Sequence, residues 1–136
     1  MAADALRPFA VWFYAASAYN LLWGSAVVVD PAPIAALAGS DDSLFLRVVG
    51  LFVLVFAPAY WWAARRPDAH AHLVLVAVLG KLGGAVGFAG AAAAGTLPLA
   101  FAPVIVLNDA VWLPAFGLYL RRAARLRGGW RPLLAG

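Results

Sequence analysis

The chain has no cysteine, no glutamate and a single lysine, and only 12% of its 136 residues are charged. Each shortage excludes something. Without cysteine there is no disulfide framework, no thiolate nucleophile and no sulfur ligand for zinc or an iron–sulfur cluster. A soluble domain is typically about half apolar and about a quarter charged, whereas the apolar share here is 65%. A compact water-soluble fold of this length has too little interior for that excess. A disordered tail and an ordinary cytosolic enzyme are therefore excluded as well. Histidine is scarce: His70 and His72 stand together beside Asp68. That is a poor metal site, and no histidine falls at the centre of an apolar run where a buried haem would need one. No phosphate-binding glycine loop, nucleophile triad or metalloprotease motif occurs. The sequence points to no catalytic residue, no metal and no cofactor, and so away from an enzyme.

What is present is apolar length. Four runs, about 9–29, 44–64, 73–94 and 97–120, are each long enough to cross a hydrocarbon core of about 30 Å. Each reads as a helix, because an open sheet cannot satisfy its edges in lipid. Pro8 suits a first helical turn, and Ser40, Asp41, Asp42 and Ser43 supply cap residues ahead of the second run. The first run exceeds the apolar core of about 7–15 residues in a cleaved signal, which predicts a retained span. The expected fold is all-α: one domain over residues 1–136, a left-handed four-helix transmembrane bundle with a basic tail at 121–136. Residues 31–39 (PAPIAALAG) form either a short segment in the outer interface or a loop packed over the end of the bundle.

Eight of the ten basic residues, Arg7, Arg65, Arg66, Arg121, Arg122, Arg125, Arg127 and Arg131, fall on one side of these spans. The other side has Arg47 together with Asp30, Asp41 and Asp42. The positive-inside rule then makes both termini cytoplasmic. Arg121, Arg122, Arg125, Arg127 and Trp130 are candidate contacts to anionic lipid, or to a partner's acidic face, and the adjoining span argues against nucleic acid. The tail is expected to dock on the bundle or on another subunit.

Three polar residues stand within the last two runs: Lys81, Asn108 and Asp109. A charge there costs a few kcal/mol, so such residues are candidates for function. Lys81 lies roughly 13 Å and Asp109 roughly 18 Å from the cytoplasmic end at helical rise. The lysine stem covers that offset, and a short hairpin makes the two spans neighbours, so the pair is expected to meet. It serves to fix helix register, to anchor a ligand or relay protons with Asp109 the carrier, or to make a contact with another subunit. Asn20 is expected to hydrogen-bond to a neighbouring helix, Tyr60 to stand at the mouth of any site, and Trp61 and Trp62 to anchor at the interface. Pro58 and Pro114 free the carbonyls of Leu54 and Ala110 as partners for polar groups. Gly80, Gly83, Gly84 and Gly87 have the four-residue spacing that lets helices pack closely. The alternative is a groove beside Lys81.

Several stretches resemble a family of small four-span bacterial membrane proteins. These are NLLWG (20–24), the segment from Gly50 to Tyr60 with Arg66 and Pro67, LGKLGGAVGF (79–88), GTLP (95–98) and NDAVWLPAF (108–116). The resemblance implies an inner-membrane location and marks Asn20, Tyr60, Lys81, Asn108, Asp109 and Trp112. Leu113 stands where the family has a second aromatic residue. Some members carry the label alkyl hydroperoxide reductase, which a chain without cysteine cannot justify. Size and span count also resemble the DoxX group. Two functions remain open. One is a non-catalytic accessory or scaffold subunit of a larger inner-membrane assembly, held by other subunits or by self-association. The other is an intramembrane pocket for a small lipid-soluble ligand such as a quinone or lipid, or a proton relay, built on Lys81 and Asp109.

The cysteine-free background makes the topology directly testable. A single cysteine at Ser40 should react with a membrane-impermeant thiol reagent on intact cells, and one at Ala69 only after permeabilisation. The reverse pattern contradicts cytoplasmic termini.

Overall fold

The structure, a computed structural model, describes residues 2–134. Met1, Ala135 and Gly136, the ends of the expected single domain and its tail, lie outside the described residues. All regular structure among the described residues is helical. Helix α1 (Ala2–Leu6) passes through a tight turn at Arg7–Phe9 into α2 (Ala10–Val29). Helix α3 (Ala32–Ala38) follows at 89° to that first helix. The Asp30 carboxylate accepts from the Ala32 amide at 3.1 Å and fixes the corner. Within residues 31–39, Ala32–Ala38 are therefore helical rather than a loop, with Pro31 and Gly39 as the end residues.

Helix α4 (Ser43–Arg65) starts at Asp42, whose side chain accepts from the Phe45 amide at 2.9 Å. This is the N-cap expected from the Ser–Asp–Asp–Ser run. Helix α5 (Ala71–Ala93) returns antiparallel. The last apolar run is broken where one unbroken helix was expected. A tight turn at Leu99–Phe101 leads into α6 (Ala102–Ile105), a wide π-type turn at Val106–Ala110, α7 (Leu113–Leu126) and, past Gly128, α8 (Trp130–Leu134). Three helical stretches, α4, α5 and Leu99–Leu126, are long and apolar enough to cross a membrane, and a fourth is gained if the first helix and α3 form one bent span. Large apolar side chains face outward along them, such as Leu22 (72% exposed), Phe52 (67%) and Val86 (71%). A soluble monomer does not carry apolar surface on that scale, so the lengths and the surface are those of a membrane protein.

Helix α2 lies along α4 and crosses it at two solitary glycines. A methyl added at Gly24 would stand 2.9 Å from the Gly50 carbonyl oxygen, and one at Gly50 3.0 Å from the Gly24 carbonyl oxygen. These glycines set the close approach. The expected packing role of Gly80, Gly83 and Gly87 is corrected: a Cβ at any of them meets nothing within 4 Å. Gly83 and Gly87 lie on sides of α5 that no other helix covers, whereas Gly80 borders open space beside Lys81, in line with the alternative of a groove there. Of that set only Gly84 touches a neighbour, the Asp109 carboxylate.

Aromatic rings from α2, α4 and α7 fill the core, with Phe13 packed 4.9 Å from Tyr119 and Tyr60 5.3 Å from Phe116 between ring centres. The α4–α5 connection is tied to α7: the Tyr119 hydroxyl donates to the Pro67 carbonyl at 2.5 Å, and Arg127 donates to the Asp68 carbonyl. Gly128 and Gly129, at φ 78° and 140°, reverse the chain, and Leu133 is fully buried in the core that also takes Leu6. The tail thus docks on its own chain. At the other end Arg47 donates to the Val28 and Val29 carbonyls and caps the C-terminus of α2.

Gly24→Ala should cost about 1–3 kcal/mol by overpacking the crossing. Gly83→Ala should cost nothing, since alanine is favoured over glycine by about 1 kcal/mol within a helix. Reversible unfolding in mixed micelles measures both; equal losses would contradict the assignment of the two faces.

Candidate functional site

The site starts from a break in the hydrogen-bond ladder. In the wide turn at Val106–Ala110 the Val111 amide reaches back five residues to Val106 at 3.0 Å, and the Trp112 amide reaches only three, to Asp109 at 3.3 Å. The Leu107 and Asn108 carbonyls, which those two amides would serve in a regular helix, are released. Trp112 Nε1 donates to the first at 2.9 Å, and the Lys81 ammonium donates to the second. A π-type turn within an α-helix is often found at a functional site. The carbonyls freed near Lys81 thus come from this turn rather than from the expected effects of Pro58 and Pro114.

The turn also aims Asp109 at α5. Lys81 Nζ stands 3.6 Å from Asp109 Oδ1, with both side chains largely enclosed. Gly84, one turn along α5 from Lys81, makes room for that carboxylate, since an added methyl would sit 2.6 Å from Asp109 Oδ2. The Lys81 ammonium also faces the Tyr60 ring at 6.0 Å from its centre. Tyr60 is only 1% exposed and belongs to the core, so its expected position at a mouth is corrected.

Helix α2 contributes the amides and hydroxyls. Asn20 Nδ2 donates to the Val53 carbonyl at 3.1 Å and Ser17 Oγ to the Ala57 carbonyl at 2.8 Å. Neither is the Leu54 carbonyl, whose own helical donor is lost at Pro58. Two buried side-chain oxygens, Asn20 Oδ1 and Asn108 Oδ1, have no hydrogen-bond partner among the described residues. A polar group left so in a low-dielectric interior costs about 1–3 kcal/mol.

A cavity of about 710 Å³ adjoins this cluster. Asn20, Tyr60, Lys81, Asn108 and Asp109 line its polar part. Trp23 and Val27 of α2, Phe45, Phe52 and Phe56 of α4, and Phe101 and Val104 supply apolar wall. Ile34 and Ala38 of α3, with Ser40 and Thr96, line it near the connecting segments. Phe52 and Gly80 border the cavity and are themselves exposed, so it meets the outer surface between α4 and α5. Its volume lies within the range of about 300–1,000 Å³ usual for small-molecule sites.

Trp112 is not part of the cavity wall; it packs on Tyr19 at 5.6 Å and on Phe116 at 6.3 Å, and so braces the turn from behind. The candidate lipid contacts Arg121, Arg122 and Arg125 are exposed, and Trp130 is 49% exposed. Arg127 differs, since its guanidinium is engaged by the Asp68 carbonyl. His70 and His72 face each other at 6.0 Å with no third metal-binding side chain grouped with them among the described residues. Phe45, Phe52, Phe56 and Tyr60 recur at near-helical spacing along one side of α4, a signal for the aromatic wall that span-finding alone misses. Comparison with family models, with curated proteins and with solved structures finds no match for this chain.

Lys81→Met and Asp109→Asn should each destabilise the fold by about 3 kcal/mol, because each leaves its partner as an uncompensated buried charge or dipole. The double variant should recover most of that loss. Additive losses in a double-mutant cycle would mean that the two groups do not interact.

Proposed function

We propose that the chain is a four-span bundle of the cytoplasmic membrane, both termini cytoplasmic, that binds a small lipid-soluble ligand within its hydrocarbon layer. The observation that carries this reading is the cavity of about 710 Å³ whose polar lining is the Lys81–Asp109 pair with Asn20 and Asn108. A pair serving only to fix helix register favours dense packing around it, because close protein contacts are what offset the cost of burying charge. An open space beside the pair fits a ligand better. The walls are mostly apolar and aromatic, and the cavity meets the surface between helices whose outer faces are apolar. A quinone or a lipid suits that route better than a water-soluble metabolite. The orientation rests on the distribution of arginines, and the exposed Arg121, Arg122 and Arg125 favour an anionic leaflet on the cytoplasmic side.

An accessory role in a larger assembly is the second reading. It is supported by the uncovered glycine positions Gly83, Gly87 and Gly90 on α5, where a partner helix would approach closely. The two readings are compatible, since a subunit can also carry a ligand.

Extraction of the full chain directly into polymer-bounded nanodiscs, followed by mass spectrometry of the solvent extract, tests the pocket. A small lipophile should be retained near one per chain in the wild type and fall at least about tenfold in the Lys81→Met/Asp109→Asn double variant, a loss of about 1.4 kcal/mol. Only bulk lipid, in equal amounts in both, would contradict ligand binding.

A further inference from the structure

The cavity is one-sided with respect to the ends of the chain. Its wall is built from residues between Asn20 and Tyr60 and between Ala77 and Asp109. Among the described residues, 2–19, 61–76 and 110–134 contribute nothing to it. Those are the stretches nearest the termini and the α4–α5 connection. The space among them is filled by Phe13, Val74, Phe116 and Tyr119, each fully buried. The two connections that do line the cavity, at Ser40 and Thr96, lie at the opposite end of the helices and are exposed there. The cavity is thus blind toward the termini and occupies the half of the helical layer remote from them.

Its polar groups stand at the closed end. Lys81 and Asp109 lie roughly 15–18 Å below the remote ends of their helical stretches at helical rise. Half of a hydrocarbon core is about 15 Å thick, so the pair stands near the middle of the layer. The unpartnered oxygens of Asn20 and Asn108 are enclosed by protein. The side chains of Lys81 and Asp109 keep 8% and 17% of their surface, so the ion pair is what the floor presents. From there to the remote end the wall is apolar, with Trp23, Val27, Phe45, Val49, Phe101 and Val104.

That polarity is the reverse of a leaflet's own. A phospholipid of the remote leaflet keeps its charged head at the interface and ends its chains at mid-layer. Seated in the cavity that way, it would set a chain methyl against the ion pair, which then gains no polar partner. Turned over, it would carry its charges into an apolar layer, where the pair, formally neutral as a whole, offers no net counter-charge. A lipophile with one compact, uncharged polar end meets neither difficulty.

We infer that the cavity takes such a molecule head-inward, with its polar end at Lys81 and Asp109 and its apolar body directed toward the membrane face remote from the termini. That a ligand is held at all rests on the pocket reading above. A ketone or quinone head suits the floor, because its lone pairs can accept from the ammonium. With the floor closed toward the termini, the cavity holds the molecule rather than passing it across the membrane.

Lys81 is the only lysine, so its nitrogen-15 ammonium is a single reporter at the floor. The probe is a fully substituted para-benzoquinone with a decyl chain, added to the full chain in phosphatidylcholine bilayers. One batch carries carbon-13 at the ring carbonyls and the other at the terminal methyl of the chain. Binding is read as probe retained beyond that in protein-free bilayers, and solid-state NMR reads dephasing of the ammonium signal by each label. The ring label should attenuate the signal, and the methyl label should leave it unchanged. Attenuation by the methyl label alone, by both equally, or by neither while the probe stays bound overturns the head-inward placement and leaves the pocket. A probe that does not bind overturns both the placement and the pocket reading.

Discussion

A lysine ammonium carried into an apolar layer of helices must find acceptors, and the geometry around Lys81 follows from how it does so. A backbone carbonyl inside a regular helix is already engaged by the amide one turn on. The turn at Val106–Ala110 widens, and the carbonyls of Leu107 and Asn108 become free for side chains. The same widening turns Asp109 toward α5, where Gly84 leaves room for the carboxylate. One irregular turn thus supplies both a neutral acceptor and a counter-charge. Trp112 holds the turn from the far side, bonded to one of the released carbonyls and packed against Tyr19 and Phe116.

The remaining helices are arranged unevenly around this point. Close contact between α2 and α4 at Gly24 and Gly50 uses up their mutual faces. Aromatic packing closes the end of the molecule near Phe13, Phe116 and Tyr119. The space is left between that pair of helices and α5 with the last helical stretch. The polar residues of three separate helices converge there. A site that draws one group from each of several rigid elements is held without loops, which suits a ligand whose head must be positioned in a medium of low dielectric.

The sequence made some of this legible. Three of the apolar runs read as spans are long apolar helices, and the first is a long helix bent sharply into α3. The meeting of Lys81 with Asp109 could be read from depth arithmetic alone, because helical rise is constant and a lysine stem is long. Glycine roles could not be read. The regular spacing of Gly80, Gly83, Gly84 and Gly87 says that small residues share faces of a helix, but not which face a neighbour covers. Gly24 and Gly50 carry no repeat at all, and only the crossing of two helices reveals them. The wide turn was hidden for a similar reason: Asn108 and Asp109 break the apolar pattern without signalling a change of helical pitch. Tyr60 reads from sequence as nearer the surface than it is, because distance along a helix says nothing about what packs beside it.

Since Lys81 is the only lysine in the chain, its side-chain nitrogen can be labelled without ambiguity, and that permits the most direct test. Solid-state NMR of the protein in lipid bilayers, with nitrogen-15 lysine and carbon-13 aspartate, reads the dipolar coupling between Nζ and the aspartate carboxyl carbons. A coupling to one carboxyl carbon that is strong enough for direct contact, and that vanishes in Asp109→Asn, is the predicted result. A lysine signal with no carboxyl coupling and with rapid exchange against bulk water would contradict the buried pair on which the site depends.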